Sequence, residues 1–433
     1  MFRLSCEAKQ YAWGKVGQAS IVAKFSGGSI REEPFAELWM GTHPSGPSEV
    51  VVRSNEKVKL PEFLRAHPDF QASSPELPFL FKVLSIGMAL SIQSHPDLTR
   101  ARALHSTDPK HYPDPNHKPE LCCALSELEC LCGLRSVAEV ATFVAQVDEL
   151  RDVLLAGGMP RPDIDALREG GDPMLVVRAI EATLRCRPAT IKDALERLMA
   201  PARLAALAAR EPSMDAALRL AGRLQGQFPF DCGVLVGAFL LRYHRLAPGE
   251  ALFLGPNVPH AYLAGDCVEI MATSDNVVRA GLTPKFKDVA VLCEMLAEHV
   301  AASPVDPAAR SFHCDPSCPA PHLSVYAPPV PEFQLVRLRV PADCPQGGVS
   351  WCGHPTSAAI AIATQPCWVS LGRPLPPAFE RIERENNAAG CDLLQLGAGS
   401  VVLLPANRAI WVDGPNGDLW IGTAAAAPAL AHK

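Results

Sequence analysis

No stretch of this sequence is apolar for long enough to cross a bilayer. The most apolar run, Cys232 to Leu241, is about ten residues, half of what a spanning helix needs. The opening residues, Met1-Phe-Arg-Leu-Ser-Cys-Glu7, lack the basic region and apolar core of a secretory signal. Positive charge is not in excess: 40 Lys and Arg stand against 46 Asp and Glu, net charge −6, so no basic surface calls for nucleic acid. Glycine-rich phosphate loops of the Walker type, a G-x-G-x-x-G after a strand and a G-x-S-x-G elbow are all missing. Nucleotide-driven chemistry and serine hydrolysis therefore lack their usual support. C-x-x-C spacing is missing too. The 15 cysteines are an odd number. Their close pairs, Cys122/Cys123, Cys130/Cys132 and Cys314/Cys318, do not repeat a zinc-knuckle unit, so buried, reduced thiols in a cytoplasmic protein are expected.

What is present describes a soluble globular chain. Apolar residues make up 48% and charged residues 20% of its 433 positions, too many for one core, so two or three packed units are expected. Proline, at 41 residues, is about twice as frequent as usual, which favours turns and edge strands over an all-helical protein. Residues 1–135 read as short strands, among them Phe79–Leu84 and Ala89–His95. From 136 to 227 the spacing turns helical. Asp172-Pro173 reads as a cap followed by a first-turn proline, and Thr190 with Asp193 as a capping box that places Ile191, Leu195, Leu198 and Met199 on one face. Strand character returns at Val234–Leu241 and runs through Ala251–Met271. The segment 301–331, with eight prolines, reads as a linker. Beyond it Val336, Leu338 and Val340 alternate with Arg337 and Arg339 as in a half-buried strand, and strands continue to Trp420. The tail from Ala424 reads as frayed. The order is β, α, β, β.

A metal site is conceivable from spacing. Gln93 and His95 lie two apart in a predicted strand and share a face. His260 opens His260-Ala-Tyr-Leu263, and Glu120 ends a turn-like segment. Two imidazoles, a carboxylate and an amide oxygen would suit zinc or a similar divalent ion and leave it able to polarise a bound oxygen. Taken singly, each histidine also reads as an ordinary core or turn residue. If Gly265-Asp266 closes a hairpin, His260, Tyr262, Glu269 and Met271 share one face while Val268 and Ile270 face the core. Glu269 is then an acid/base group, a partner to a ligand, or a solvated edge residue. Arg279, Lys285 and Lys287 form a basic cluster fit for a phosphate, or an ordinary solvated loop. Lys82, inside an apolar strand, reaches either an edge or a cavity; the cavity is the preferred reading.

Several segments carry a resemblance. Leu77-Pro-Phe-Leu-Phe-Lys-Val-Leu84, Leu90-Ser-Ile-Gln-Ser-His-Pro96, Asn116-His-Lys-Pro-Glu120, Asn257-Val-Pro-His-Ala-Tyr262 and Ser274-Asp-Asn-Val-Val-Arg-Ala-Gly-Leu-Thr-Pro-Lys-Phe-Lys-Asp288 closely resemble type I mannose-6-phosphate isomerases of the cupin superfamily. Tyr11-Ala-Trp-Gly14 resembles the family's opening. The likeness runs from about residue 9 to 300, is weaker in the helical insert and becomes diffuse past 320. It implies a mainly β fold with a helical insertion: two cupin-like jelly-roll barrels and an α-helical domain. The boundaries are then 1–135 and 228–300 for the catalytic cupin, 136–227 for the helices and 301–433 for the second jelly roll. Gln93 replaces the first histidine of the general cupin motif, and Gly255 and Asn257 depart from its second motif. The resemblance implies one Zn²⁺ per chain, held by Gln93, His95, Glu120 and His260. It further implies Arg279 at the active site, phosphate contacts from Lys82, Ser91 and Lys285, and ring opening and proton transfer by His117 and Lys118. Glu269 is a rival for the base. The activity implied is interconversion of mannose 6-phosphate and fructose 6-phosphate through a cis-enediol, feeding GDP-mannose synthesis and mannose catabolism. A small sugar phosphate would be the partner, with no nucleic acid or membrane, and the chain a cytoplasmic monomer. A catalytically silent sugar-phosphate sensor and an iron-dependent oxygenase are the rival readings; the complete set of site residues argues against the first and Gln93 against the second.

Overall fold

The computed structural model describes residues 1–27, 31–53, 56–70, 76–302, 322–340, 349–353, 356–372, 392–414 and 416–425. Its central strand, Phe79–Ile86, is buried at every position, as a strand covered on both faces must be. It pairs antiparallel with Glu37–Gly41 on one side and with the long strand His260–Ala272 on the other. Around this axis grows a ten-stranded sheet that also holds Glu7–Lys9, Ile92–Ser94, Glu120–Ala124, Leu128–Leu134, Leu241–Leu246, Ala251–Leu254 and Val278–Gly281.

The long strand does not turn at Gly265-Asp266. It runs straight on, with Gly265 opposite Ile86 and Asp266 opposite Ser85, so the predicted hairpin is absent. The ladder with Leu128–Leu134 instead shifts register just before this point, and Gly265 takes φ 124°, where a side chain would be strained. A Cβ there would also stand 2.4 Å from the Glu127 carbonyl oxygen. A bulge adds a residue to one strand and inverts the alternation that follows. His260 and Tyr262 before it therefore line the same cavity as Glu269 and Met271 after it. The shared face expected from a hairpin exists for a different reason, and Val268 and Ile270 do face the core.

A second, eight-stranded sheet packs against the outer face of the first. Phe81, Val83, Val268 and Ile270 meet Ile360, Ile362, Leu403 and Trp420 in one core. On the opposite face of the second sheet, Ala361, Val402, Leu419 and Ile421 pack with Val369, Leu371 and Val412 of a four-stranded sheet. The strand Gln334–Arg339 buries Val336 and Leu338 and exposes Arg339, as alternation predicts. The second sheet also contains the start of the chain. Phe2–Ser5 lies between Val401–Leu404 and Glu49–Arg53, and Glu7–Lys9 then crosses into the first sheet.

Seven helices occupy residues 137–227, from Val137–Gln146 to Pro212–Gln227, with their own apolar core. Ser136 and Glu139 form a reciprocal capping box. Two expected starts move. Met174–Arg185 begins one residue later than predicted, with Pro173 at the cap and the Asp172 carboxylate accepting from the Met174 N–H. Pro188–Leu198 begins at Pro188, so Thr190 sits within its first turn and caps nothing. Ile191, Leu195 and Leu198 are buried as expected. Proline at the first position also opens Pro201–Ala208 and Pro212–Gln227, so part of the proline excess serves helix starts. The stretch Val234–Leu241 is not a strand: Gly233–Leu235 is helical, Val236–Leu240 forms a wider π turn, and the strand begins at Leu241. An apolar run of this length buried on every side carries no period that separates helix from strand. The Cys314/Cys318 pair, most of the proline-rich linker and the end of the alanine-rich tail lie outside the described residues.

Candidate metal centre and active site

Strand register places the site residues in rows. Gln93 lies opposite His260 on one side and opposite Arg279 on the other, so these three side chains stand together on one face. A second row runs from Glu269 through Lys82 to Trp39. Glu120 starts its strand opposite Met271. These rows line one cavity of ≈ 630 Å³. Tyr11, Trp13 and Phe228, which follows the helix Pro212–Gln227, also line it.

On one wall, Glu120 and His260 line the cavity, and the buried His95, which is not among the lining residues, converges with them. The His95 Nδ1–H donates to the Asn276 carbonyl at 2.7 Å, and the His260 Nδ1–H donates to the Val258 carbonyl at 2.9 Å. Each ring therefore presents its bare Nε2 inward, at 3.4 Å and 3.3 Å from the two Glu120 carboxylate oxygens. The His95 Nε2 is buried without a hydrogen-bond partner. Burial, then the nearby Lys118 charge, lowers the His95 imidazole to about 4, so it is neutral with a free lone pair. Burial alone would raise the Glu120 carboxyl, but Lys118 and the histidines hold it well below the usual carboxylate range. Donors about 2.1 Å from a tetrahedral ion stand about 3.4 Å apart, so the spacing fits a zinc-sized ion. No other such cluster of three His, Cys, Asp or Glu occurs among the described residues. Gln93 is adjacent through its register with His260.

The opposite wall is acidic around one lysine. The Lys82 ammonium donates to Glu269 at 3.1 Å, lies 3.9 Å from Glu37 and sits 5.3 Å from the Trp39 ring. Trp39 Nε1–H donates to Glu37 at 2.6 Å, and Tyr262 O–H donates to Glu269 at 2.8 Å. Burial opposes the Lys82 charge, yet Glu37 and Glu269 outweigh it and raise the ammonium. Burial raises the Glu269 carboxyl, Lys82 pulls the other way and Glu120 adds to the rise. Lys82 therefore does reach a cavity, but with its charge already neutralised.

Arg279, Ser91, Lys118 and Lys285 line the same space. Lys118 pairs with Glu120. Burial lowers the half-buried Arg279 guanidinium, and among the described residues no carboxylate pairs with it. His117 is not among the lining residues. Its Nε2 meets Glu332 at 2.6 Å outside the cavity. Lys287 points back to the Thr283 carbonyl and does not line the cavity either.

Sequence reading missed Glu37, Trp39 and Asp275. An acid within the apolar Phe35-Ala-Glu-Leu-Trp39 is the same kind of signal that singled out Lys82. Asp275 faces the cavity with the buried His43 behind it at 3.4 Å, and that contact lowers its carboxyl. The inner-face cysteines Cys122, Cys130, Cys132 and Cys267 are free and fully buried, and burial pushes their thiols up, as inert structural thiols.

Residues 1–137 match the family profile of the phosphomannose isomerase type I catalytic domain. The mannose-6-phosphate isomerase of Mus musculus is 42% identical over 388 residues, covering 84% of this chain and 87% of that protein. This chain belongs to the type I mannose-6-phosphate isomerases. The Homo sapiens member is 39% identical over 360 residues, covering 79% of this chain and 83% of its own. A solved variant of the Salmonella typhimurium phosphomannose isomerase aligns over 98% of this isomerase chain and 99% of its own, with a TM-score of 0.76 at 25% identity. A mannose 6-phosphate isomerase structure bound with zinc and yttrium aligns over the same shares with a TM-score of 0.75 at 25% identity. These neighbours fit a cupin-type fold of antiparallel sheets with helices. Among the described residues of this isomerase no helix is long and apolar enough to cross a membrane.

Proposed function

We propose that this chain is a cytoplasmic, zinc-dependent aldose–ketose isomerase that interconverts mannose 6-phosphate and fructose 6-phosphate through a cis-enediol. The observation that carries the reading is the convergence of two bare imidazole nitrogens on Glu120, a carboxylate lining a cavity that also holds Arg279, which pairs with no carboxylate among the described residues. His95, Glu120 and His260, with Gln93 beside them, would hold the zinc. When bound it supplies a positive centre against which sugar hydroxyl and carbonyl oxygens are polarised. Arg279, next to Gln93, faces the charge that develops on O1 and O2, the kind of interaction strongest in the transition state. Ser91 and Lys285 accept the phosphate. Lys82 is committed to Glu269 and Glu37, so in this reading it shapes the wall and does not meet the phosphate. Glu269 stays tied to Lys82 and Tyr262, whereas the Lys118 partner Glu120 would turn to the metal, so in this reading Lys118 moves the proton between C2 and C1. His117, tied to Glu332, positions the segment that carries Lys118.

We further read the two packed sheets as two cupin jelly rolls, with residues 136–227 as the helical domain. Residues 2–5 and 49–59 pair within the second sheet, so this reading assigns them to the second roll and not to the first. The deciding experiment is a coupled assay of fructose 6-phosphate formation from mannose 6-phosphate, before and after a chelator, with zinc then restored. Loss with chelator and recovery with zinc is the expected result. No turnover in a folded, zinc-loaded sample would overturn the enzyme reading and leave a sugar-phosphate sensor.

A further inference from the structure

A second cavity, of ≈ 470 Å³, opens between the helix Pro212–Gln227 and the edge strand Leu241–Leu246. It lies apart from the cavity described above and shares no lining residue with it. The helix buries Met214, Ala217, Leu218, Ala221 and Leu224 in its own core. The face turned to the cleft carries Ser213, Ala216, Arg219, Leu220 and Arg223, the spacing of a single helical stripe. From the strand come Tyr243 and Arg245, two apart and so on one side, and Arg135 and Glu129 close the end.

Four arginines thus line this cleft against one carboxylate, in a chain whose net charge is −6. That carboxylate, Glu129, is engaged through its Oε2, which Arg223 reaches at 2.7 Å and to which Tyr243 O–H donates at 2.7 Å. The Arg135 guanidinium packs on Phe143 and meets Glu139, and its Nε is buried with no partner. Arg219 and Arg245 have side chains 68% and 60% exposed, and their ion-pair partners among the described residues are the surface carboxylates of Asp215 and Glu127. Exposed pairs of this kind contribute little and are readily exchanged. A phosphate offers three acceptor oxygens to which a guanidinium binds bidentately, a stronger contact than either pair. Tyr243, Leu220 and Ala216 supply the apolar part of the same lining, suited to a flat or apolar group.

We propose that this cleft is a second anion site, taking a phosphorylated small molecule whose phosphate lies between Arg219 and Arg245 and whose flat portion rests on Tyr243. It does not depend on the isomerase reading. The test uses the zinc-loaded full-length chain and adenosine 5′-monophosphate as the probe, followed by titration calorimetry with and without saturating fructose 6-phosphate. The doubly substituted Arg219→Glu/Arg245→Glu chain is measured beside it; both positions are exposed and outside the catalytic machinery. One-to-one binding that survives fructose 6-phosphate, and weakens at least tenfold in the double variant while kcat is unchanged, is the expected result. No binding of the probe up to millimolar concentration would overturn the proposal. So would binding that fructose 6-phosphate displaces and the double variant leaves intact, since the probe would then occupy the first cavity.

Discussion

His95 and His260 use one ring nitrogen to fix themselves and leave the other for a ligand. Their Nδ1–H groups are bonded to backbone carbonyls, which sets the tautomer and aims both Nε2 lone pairs at Glu120. Replacing the carboxylate takes the negative charge out of the donor set. Glu120→Gln should therefore lose its bound zinc, measured by elemental analysis of the purified protein, and lower kcat by about 10²–10³-fold. Full activity without metal would refute the role assigned to this cluster. Arg279 is the residue whose role is least constrained by partners, since burial lowers its guanidinium and no carboxylate among the described residues meets it. Arg279→Ala should reduce kcat by about 10²–10³-fold with little change in KM, because the charge it faces exists mainly in the transition state. Steady-state kinetics separate the cases: a change in KM alone would make Arg279 a phosphate anchor.

Elements decide which of these residues meet. The bulge between Tyr262 and Ala264 inverts the alternation of one strand, and only so does Tyr262 come to donate to Glu269. In the helical segment, Arg203 from Pro201–Ala208 forks onto Glu149 of Asp148–Ala156 with two contacts of 2.8 Å. Burial of Glu149 would raise its carboxyl, but the Arg203 hydrogen bonds overcome that and hold it below the usual range. With the folded value depressed, the unfolded chain binds more protons at low pH. The pair therefore stabilises fully above the ordinary glutamate value, about 4.3, and its contribution is lost as pH falls from there through the depressed folded value. Glu149→Gln should cost about 2–3 kcal/mol at pH 7 and progressively less toward pH 3. Denaturant midpoints across that range check the sign, and a loss that grows on acidification would contradict it.

At the scale of the whole molecule, the site is held from behind. Gly422 lies where the two sheets meet, and a Cβ there would stand 3.0 Å from both Phe81 and Ile270. Phe81 neighbours Lys82 in the central strand, and Ile270 neighbours Glu269. Gly422→Val should destabilise the fold by about 1–3 kcal/mol through overpacking, read from chemical denaturation. An unchanged midpoint would mean that the sheets separate more easily than their shared core implies.

The donor types and strand segments of the metal centre were legible in order along the chain, because His95, Glu120 and His260 each sit in short runs whose local pattern survives folding. So were the helical region, written in a period of 3.6, and the alternating strand at Val336–Val340. What escaped depends on partners distant in sequence. Phe2–Ser5 pairs with Val401–Leu404, nearly 400 residues away, and no local pattern encodes a register across that distance. Lys82 read from sequence as reaching a cavity, with a phosphate contact implied by the resemblance, and in the fold it is paired with Glu37 and Glu269, which arrive from neighbouring strands. His117, beside Lys118 in sequence, turns to Glu332 because that residue is brought to its other side. Residue type and local period are properties of neighbouring positions, and they survive in a linear reading. Charge pairing, side-chain direction past a bulge and the enclosure of a cavity arise from packing between strands and sheets, so they exist only in the folded chain.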